Sequence, residues 1–115
     1  MILDWSKVKI FIKPGMTDFR KQINGLSIMV EEDCHMNALD GSLYLFCNRA
    51  RNRLKILYWD RNGFCLWLKR LEKDKFPWPK HVKEVNMISY DQLSMLLDGI
   101  DFFHAHTELK YTGIN

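Results

Sequence analysis

No stretch of this chain approaches the roughly 20 consecutive apolar residues that a membrane-spanning helix needs. Its opening segment, MILDWSKVKIFIKPG, lacks the order of a secretory signal, because Lys7, Lys9 and Lys13 interrupt the apolar residues. The sequence therefore predicts no membrane span and a cytoplasmic protein, nucleoid-associated if it holds DNA. Cysteine is scarce and unpatterned: Cys34, Cys47 and Cys65 make an odd count without a CxxC spacing, which argues against a disulfide framework. Cys34-His35 and His104-x-His106 are only pairs, too few for a structural zinc site that wants four ligands. There is no Gly-rich phosphate loop, nucleophile elbow or cofactor fingerprint. Asp18, Asp40, Asp60 and Asp98 are scattered at turns and helix ends, where aspartate has ordinary local reasons to be. The reading is a non-enzyme with no metal and no cofactor.

What remains is a chain of 115 residues with 47% hydrophobic and 27% charged residues, the size and mixture of one soluble domain with its own core. Its centre of gravity is the stretch from Leu43 to Pro79. Three apolar runs, Leu43–Cys47, Leu54–Trp59 and Phe64–Leu68, are separated by polar links that carry Asn, Asp and Gly. Strand-length apolar runs so bounded predict a three-stranded antiparallel meander, with Asn62-Gly63 supplying the positive φ of a tight turn. The alternation places Leu43, Leu45, Cys47, Leu54, Ile56 and Tyr58 opposite Tyr44, Phe46, Lys55, Leu57 and Trp59 on their strands. Both faces are apolar, so both need cover. A helix after Thr17 can cover one. The other calls for the C-terminal helix, a second copy of the protein (a homodimer) or a ligand.

Around the meander, Val8–Ile12 reads as a first strand ended by Pro14-Gly15. Thr17 reads as the N-cap of a helix to about Glu32, with Phe19, Ile23, Leu26 and Val30 as its apolar stripe. Gly25 within it costs about 1 kcal/mol against Ala, which a close helix–sheet approach would explain. Val82–Ile88 reads as one more short strand. Ser89 with Gln92 makes a capping box for a helix to about Asp98, with Gly99 at its C′ position. The expected architecture is a single α+β domain over residues 1–101, an antiparallel sheet centred on the meander and flanked by two helices, with a loose tail over 102–115. Pro77 and Pro79 make the stretch EKDKFPWPK irregular.

Charge is distributed unevenly. From Arg49 to Lys75 nine Lys and Arg meet three acids, a local net of +6 in a chain whose total is +3. Arg49, Arg51 and Arg53 lie on the first link of the meander, and Lys69 and Arg70 follow the third strand back to that same end; Arg61 belongs to the opposite end. Five cations gathered there can neutralise phosphates, with Trp59, Trp67 or Trp78 as stacking surfaces and Arg20 and Lys21 as weaker contributors. The alternative is that these residues are a solvated rim with the indoles in the core. From a different class comes a protein-docking module, with Phe76 and Trp78 as aromatic anchors; against it, the two rings simply close the core's open edge.

Several of these segments also resemble one family. Thr17-Asp18-Phe19-Arg20-Lys21 and Asn24-Gly25-Leu26 are similar to its opening TDMRKGxDGL. Leu43–Phe46, Asn48-Arg49 and Arg53–Asp60 are similar to its LFVFxNRxxxRLKxLxWD. Gly63–Trp67, Lys69–Glu72 and Phe76–Pro79 follow its GFxLxxKRLExGxFxWP, and Leu96–Ile100 its LLxGID. The departures are Phe19 for Met, Gln22 for Gly and Asp74 for Gly. The family is the TnpB-type accessory protein of the sixty-six class of bacterial insertion sequences, which is encoded beside a separate transposase. The resemblance implies an accessory role in DNA transposition, with the element's DNA and its transposase or partner proteins from the same element as the expected partners.

Overall fold

The computed structural model describes residues 7–80 and 86–99. Its elements run β1 (Ile10–Ile12), α1 (Ile23–Glu32), β2 (Leu43–Cys47), β3 (Arg53–Asp60), β4 (Gly63–Arg70), β5 (Asn86–Ile88) and α2 (Tyr90–Leu97). The five strands form one sheet in the order β4-β3-β2-β1-β5. The α+β class and the meander β2-β3-β4 are present, with antiparallel registers such as Leu45↔Ile56 and Leu57↔Leu66.

Two features of the expected sheet need correction. It is mixed, because β1 lies parallel to β2 with Ile10 against Leu43. The meander is also not central: it fills one side of the sheet, and β4 is an edge strand. The reason is the connection between β1 and β2. Parallel neighbours cannot be joined by a tight turn and need a crossover, which α1 provides. β5 then adds antiparallel to the free side of β1, with Ile10 against Ile88. The expected strand start at Val82, the loose tail and the His104/His106 pair lie outside the described residues.

The two apolar faces are covered by different means. Ile10, Ile12, Leu43, Leu45, Cys47, Leu54 and Ile56 pack with Leu93 and Leu96 of α2 and with Phe76 and Trp78. On the other face Tyr44, Phe46 and Leu57 pack with Leu26 and Val30 of α1. Burying each large aliphatic side chain contributes about 1.5–3 kcal/mol, so neither face could be left open. The C-terminal helix, one of the three covers the sequence allows, is the one used, supplemented by a proline-rich strap. Burial pushes the Cys47 thiol up to about 12, as suits a core thiol.

Helix ends differ in how well the sequence announces them. α2 begins with the expected capping box: the Ser89 hydroxyl accepts from the Gln92 N–H at 3.1 Å and the Ser89 N–H donates to the Gln92 side chain at 2.9 Å. It stops at Leu97, with Gly99 at C′ in a φ of +78° that glycine adopts at little cost. α1 does not start at Thr17. Thr17 is buried, its N–H donates to the Cys47 carbonyl, and its hydroxyl has no partner among the described residues; Gln22 is the N-cap. The preceding segment is held in another shape by the Lys55 ammonium, which donates to the carbonyls of Phe19 (3.1 Å) and Lys21 (2.9 Å). Those two bonds tie the Phe19 and Lys21 carbonyls to β3 ahead of the helix. Phe19 still reaches the α1-side core, now from a turn. The neighbour crowding Gly25 is the Lys21 side chain, 3.1 Å from where a Cβ would stand, and not the sheet. In the β3–β4 hairpin the positive φ falls on Arg61 (52°) and not on Gly63.

Candidate nucleic-acid interface

The link between β2 and β3, Asn48-Arg49-Ala50-Arg51-Asn52-Arg53, is built around one side chain. Asn48 Oδ1 accepts from the N–H groups of Asn52 and Arg53, both at 3.0 Å, and Asn48 Nδ2 donates to Asn52 Oδ1 at 2.8 Å. The Arg51 N–H donates to the Asn48 carbonyl, and Arg51 itself adopts φ of 59°. A non-glycine residue in that region costs about 1–2 kcal/mol, so the surrounding bonds must over-determine it. They do: the Arg51 carbonyl accepts from the Phe76 N–H at 2.6 Å, and the Asn52 carbonyl from the Leu71 N–H at 2.8 Å. The link is thereby stitched to the chain leaving β4.

That chain continues through Phe76, fully buried, and Trp78, whose indole N–H donates to the Lys13 carbonyl at 2.9 Å. The Pro79 carbonyl then accepts from the Gly15 N–H at 2.8 Å. These bonds join residues 13–15, 48–53 and 75–80 at one end of the sheet and leave a cleft of about 380 Å³ between them. Arg49, Arg51, Lys75 and Lys80 line it over Met16 and Trp78, and among the described residues no acid does. Four cations on walls that carry no carboxylate make a positive potential, which a low-dielectric surround concentrates.

A second groove, about 710 Å³, borders the first. It shares Met16, Asn48 and Arg49 with the cleft and adds Arg20, Lys21 and Asp18. Here the charge is partly spent. Arg20 grips Asp18 with Nη2 at 2.7 Å and Nε at 3.0 Å, while the Asp18 carboxylate also accepts from the Arg20 N–H at 2.9 Å. The Arg20 hydrogen bonds hold the Asp18 carboxyl at about 2, well below the usual carboxylate range, and Asp18 raises the Arg20 pKa in return.

The seven basic residues singled out from the sequence thus divide. Arg49 and Arg51 line the cleft, and Arg20 and Lys21 line the groove beside it. Arg53 and Arg70 stand side by side in register where β3 begins and β4 ends. Arg70 is paired with Glu72 at 2.9 Å, and Lys69 donates to the Leu97 carbonyl at 2.7 Å, completing the C-terminal end of α2. Arg61 lies at the far hairpin, as expected from its link. Phe76 and Trp78 are core residues, so they are not available as docking anchors on this surface; their i, i+2 spacing in an extended strap sends both rings inward. Of the three indoles offered for stacking, Trp78 is buried, Trp59 packs edge-on against Phe64 at 5.0 Å, and Trp67 is 41% exposed in the middle of β4. Sequence reasoning does not single out Lys75 and Lys80 as site residues. The signal that could have found them is their position: they bracket FPWP, and a strap anchored by two buried rings must present its flanking residues at the core's rim. Among the described residues there is no group of three or more His, Cys, Asp or Glu that could hold a metal, and no helix is long and apolar enough to cross a membrane.

Relatives of the chain are known, though no solved structure matches it. It is 38% identical over 114 residues to the uncharacterized protein y4hO of Sinorhizobium fredii (strain NBRC 101917 / NGR234), covering 99% of both chains. It is 30% identical over 95 residues to the uncharacterized protein y4jC of the same strain, covering 83% of this chain and 81% of that one. Residues 8–107 match the family described as IS66 Orf2 like protein. The signature segments, among them the Asn48-Arg49 and Phe76–Pro79 stretches that build the cleft, lie within that match. The chain belongs to the IS66 Orf2-like family.

Proposed function

We propose that this protein is a non-catalytic accessory factor in transposition of its own bacterial insertion sequence, and that it contacts DNA through the basic cleft at the end of its sheet. The observation that carries this reading is the convergence of Arg49, Arg51, Lys75 and Lys80, from two separate segments, on one cleft that no acid lines among the described residues. Phosphodiesters are the chemistry such a cleft takes, since each arginine offers a planar fork of donors and each lysine a compact charge. Arg20 and Lys21 extend the path along the adjoining groove. Arg53 and Arg70 flank it, and Lys69 serves the fold. Family membership supports the cellular context, in which the element's DNA and its transposase are the partners.

The test is duplex DNA binding by fluorescence anisotropy across a salt series. The variant is Arg49→Gln/Arg51→Asn/Lys75→Gln/Lys80→Gln, with Asn at 51 because it tolerates the left-handed backbone. Wild type is expected to bind with a steep log–log salt slope. The variant should flatten that slope by about 0.9 for every phosphate it no longer neutralises. Failure of the folded wild type to bind at low salt, or an unchanged slope in the variant, refutes the reading.

A further inference from the structure

The lateral edge of the sheet at β4 poses a separate question. Among the described residues β4 pairs only with β3, so one of its backbone edges is open along all eight residues of Gly63–Arg70. Such edges are usually protected by shortness, proline or a charge in mid-strand. The other edge strand, β5, is three residues long. β4 has none of these devices: its interior reads Phe64-Cys65-Leu66-Trp67-Leu68, and its cations come only at the C-terminal end.

The side chains of β4 say what kind of partner fits. Trp67 stands in register with Ile56, on the face covered by α2 and the strap, while Leu68 stands in register with Lys55, on the face of α1. Phe64 and Leu66 still pack against the α1-side core, but Trp67 is 41% exposed and Leu68 55% exposed, so neither layer covers these two side chains. A partner lying on one face can cover only one of the two. Covering both requires a strand that continues the sheet and is itself apolar on both sides.

We infer that the free edge of β4 pairs antiparallel with β4 of a second copy of this chain. An open strand is complementary to itself about a two-fold axis normal to the sheet, which is the self-matching surface of a cyclic dimer. With the axis at Leu66, Cys65 falls beside the partner's Trp67 and Phe64 beside the partner's Leu68, so each exposed side chain gains an apolar neighbour on its own face. Lys69 falls beside the partner's Gly63 and Arg70 beside the partner's Asn62, and no cation faces a cation. Parallel pairing would instead stack the Lys69-Arg70 ends together. The inference does not depend on the cleft binding DNA, because the two surfaces are at different places on the sheet.

Sedimentation velocity without DNA, from about 1 to 100 µM, a range spanning typical micromolar affinities, tests it. The full-length wild type is expected to move from monomer to dimer. Leu68→Lys should raise the dimer Kd at least tenfold, and Met87→Lys on β5 should leave it unchanged. Hydrogen exchange on the wild type gives a readout that needs no variant: β4 amides should gain protection as concentration rises, and β5 amides should not. A protein that stays monomeric throughout overturns the inference. So does a dimer whose affinity Leu68→Lys leaves intact, or protection of β4 that does not change with concentration, which would put another segment of the same chain on the edge.

Discussion

Replacing Asn48 by Ala separates the shape of the basic cleft from its charge. The substitution removes three hydrogen bonds, two of them from backbone N–H groups of Asn52 and Arg53, without altering any cation. At about 1 kcal/mol each, these bonds amount to roughly 3 kcal/mol. The link is only half-buried, so water satisfies the released N–H groups and no desolvation penalty is added. Against that loss, a freed link lets Arg51 leave its left-handed conformation and recover about 1 kcal/mol. The net cost is therefore about 2 kcal/mol, read as a lower urea midpoint at unchanged m-value. Asn48→Asp keeps the oxygen that accepts from both N–H groups and loses only the donation to Asn52, so it should cost about 1 kcal/mol. If the cleft holds DNA, Asn48→Ala should also weaken binding although net charge is conserved, because Arg49 and Arg51 are no longer presented together. A stability loss below about 0.5 kcal/mol, the scatter of ordinary surface changes, would refute the claim that this side chain organises the link.

Two further outcomes follow from the segment before α1. Lys55→Met leaves the carbonyls of Phe19 and Lys21 without their cationic donor, and hydrogen bonds to charged groups are worth about 1.5–3 kcal/mol; thermal unfolding should show a loss of about 2 kcal/mol, and a neutral result would show that the segment holds itself. The Asp18 carboxyl should titrate by NMR with a midpoint near 2, and Arg20→Gln should return it to the ordinary range of about 3.9. Because the folded pKa is depressed, whatever stability this pair gives is fully present above the unfolded value and is lost as pH falls through about 2; an unshifted midpoint in wild type would show that the ion pair does not persist in solution.

Local chemistry is legible where one segment decides its own structure. The Ser89/Gln92 box marks the start of α2 and Gly99 its end. The alternation in β2 and β3 sorts their side chains onto the correct faces. What escapes such reading is whatever depends on distant partners. Nothing in Ile10-Phe11-Ile12 says that it lies parallel to Leu43–Leu45, since the same alternation serves either direction. Thr17-Asp18 has the composition of a helix start, but a lysine from β3 ties down carbonyls that follow, and Asp18 turns its carboxylate to Arg20. At the site, Arg49 and Arg51 stand out because charge is dense around them. Lys75 and Lys80 do not, because their place depends on Phe76 and Trp78 facing inward, whereas proline-rich irregularity suggests exposure. An extended strap without ladder bonds is as able to be buried as a strand, provided its carbonyls and indole find partners.

The position of β1 has a consequence for how the protein is made. Residues 10–12 pair on one side with 43–45 and on the other with 86–88. The meander is a local structure and can assemble as soon as Arg70 has left the ribosome, whereas β1, the first of the described strands, waits for β5, the last of them, to pair its other edge. Until then Ile10–Ile12 presents an unpaired edge and one uncovered apolar face, the kind of surface on which nascent chains associate wrongly. Such long-range closure is slow because the loop must be brought together before any pairing rewards it. A ribosome that stalls between Arg70 and Asn86 would hold out a chain with a finished hairpin array and an open sheet.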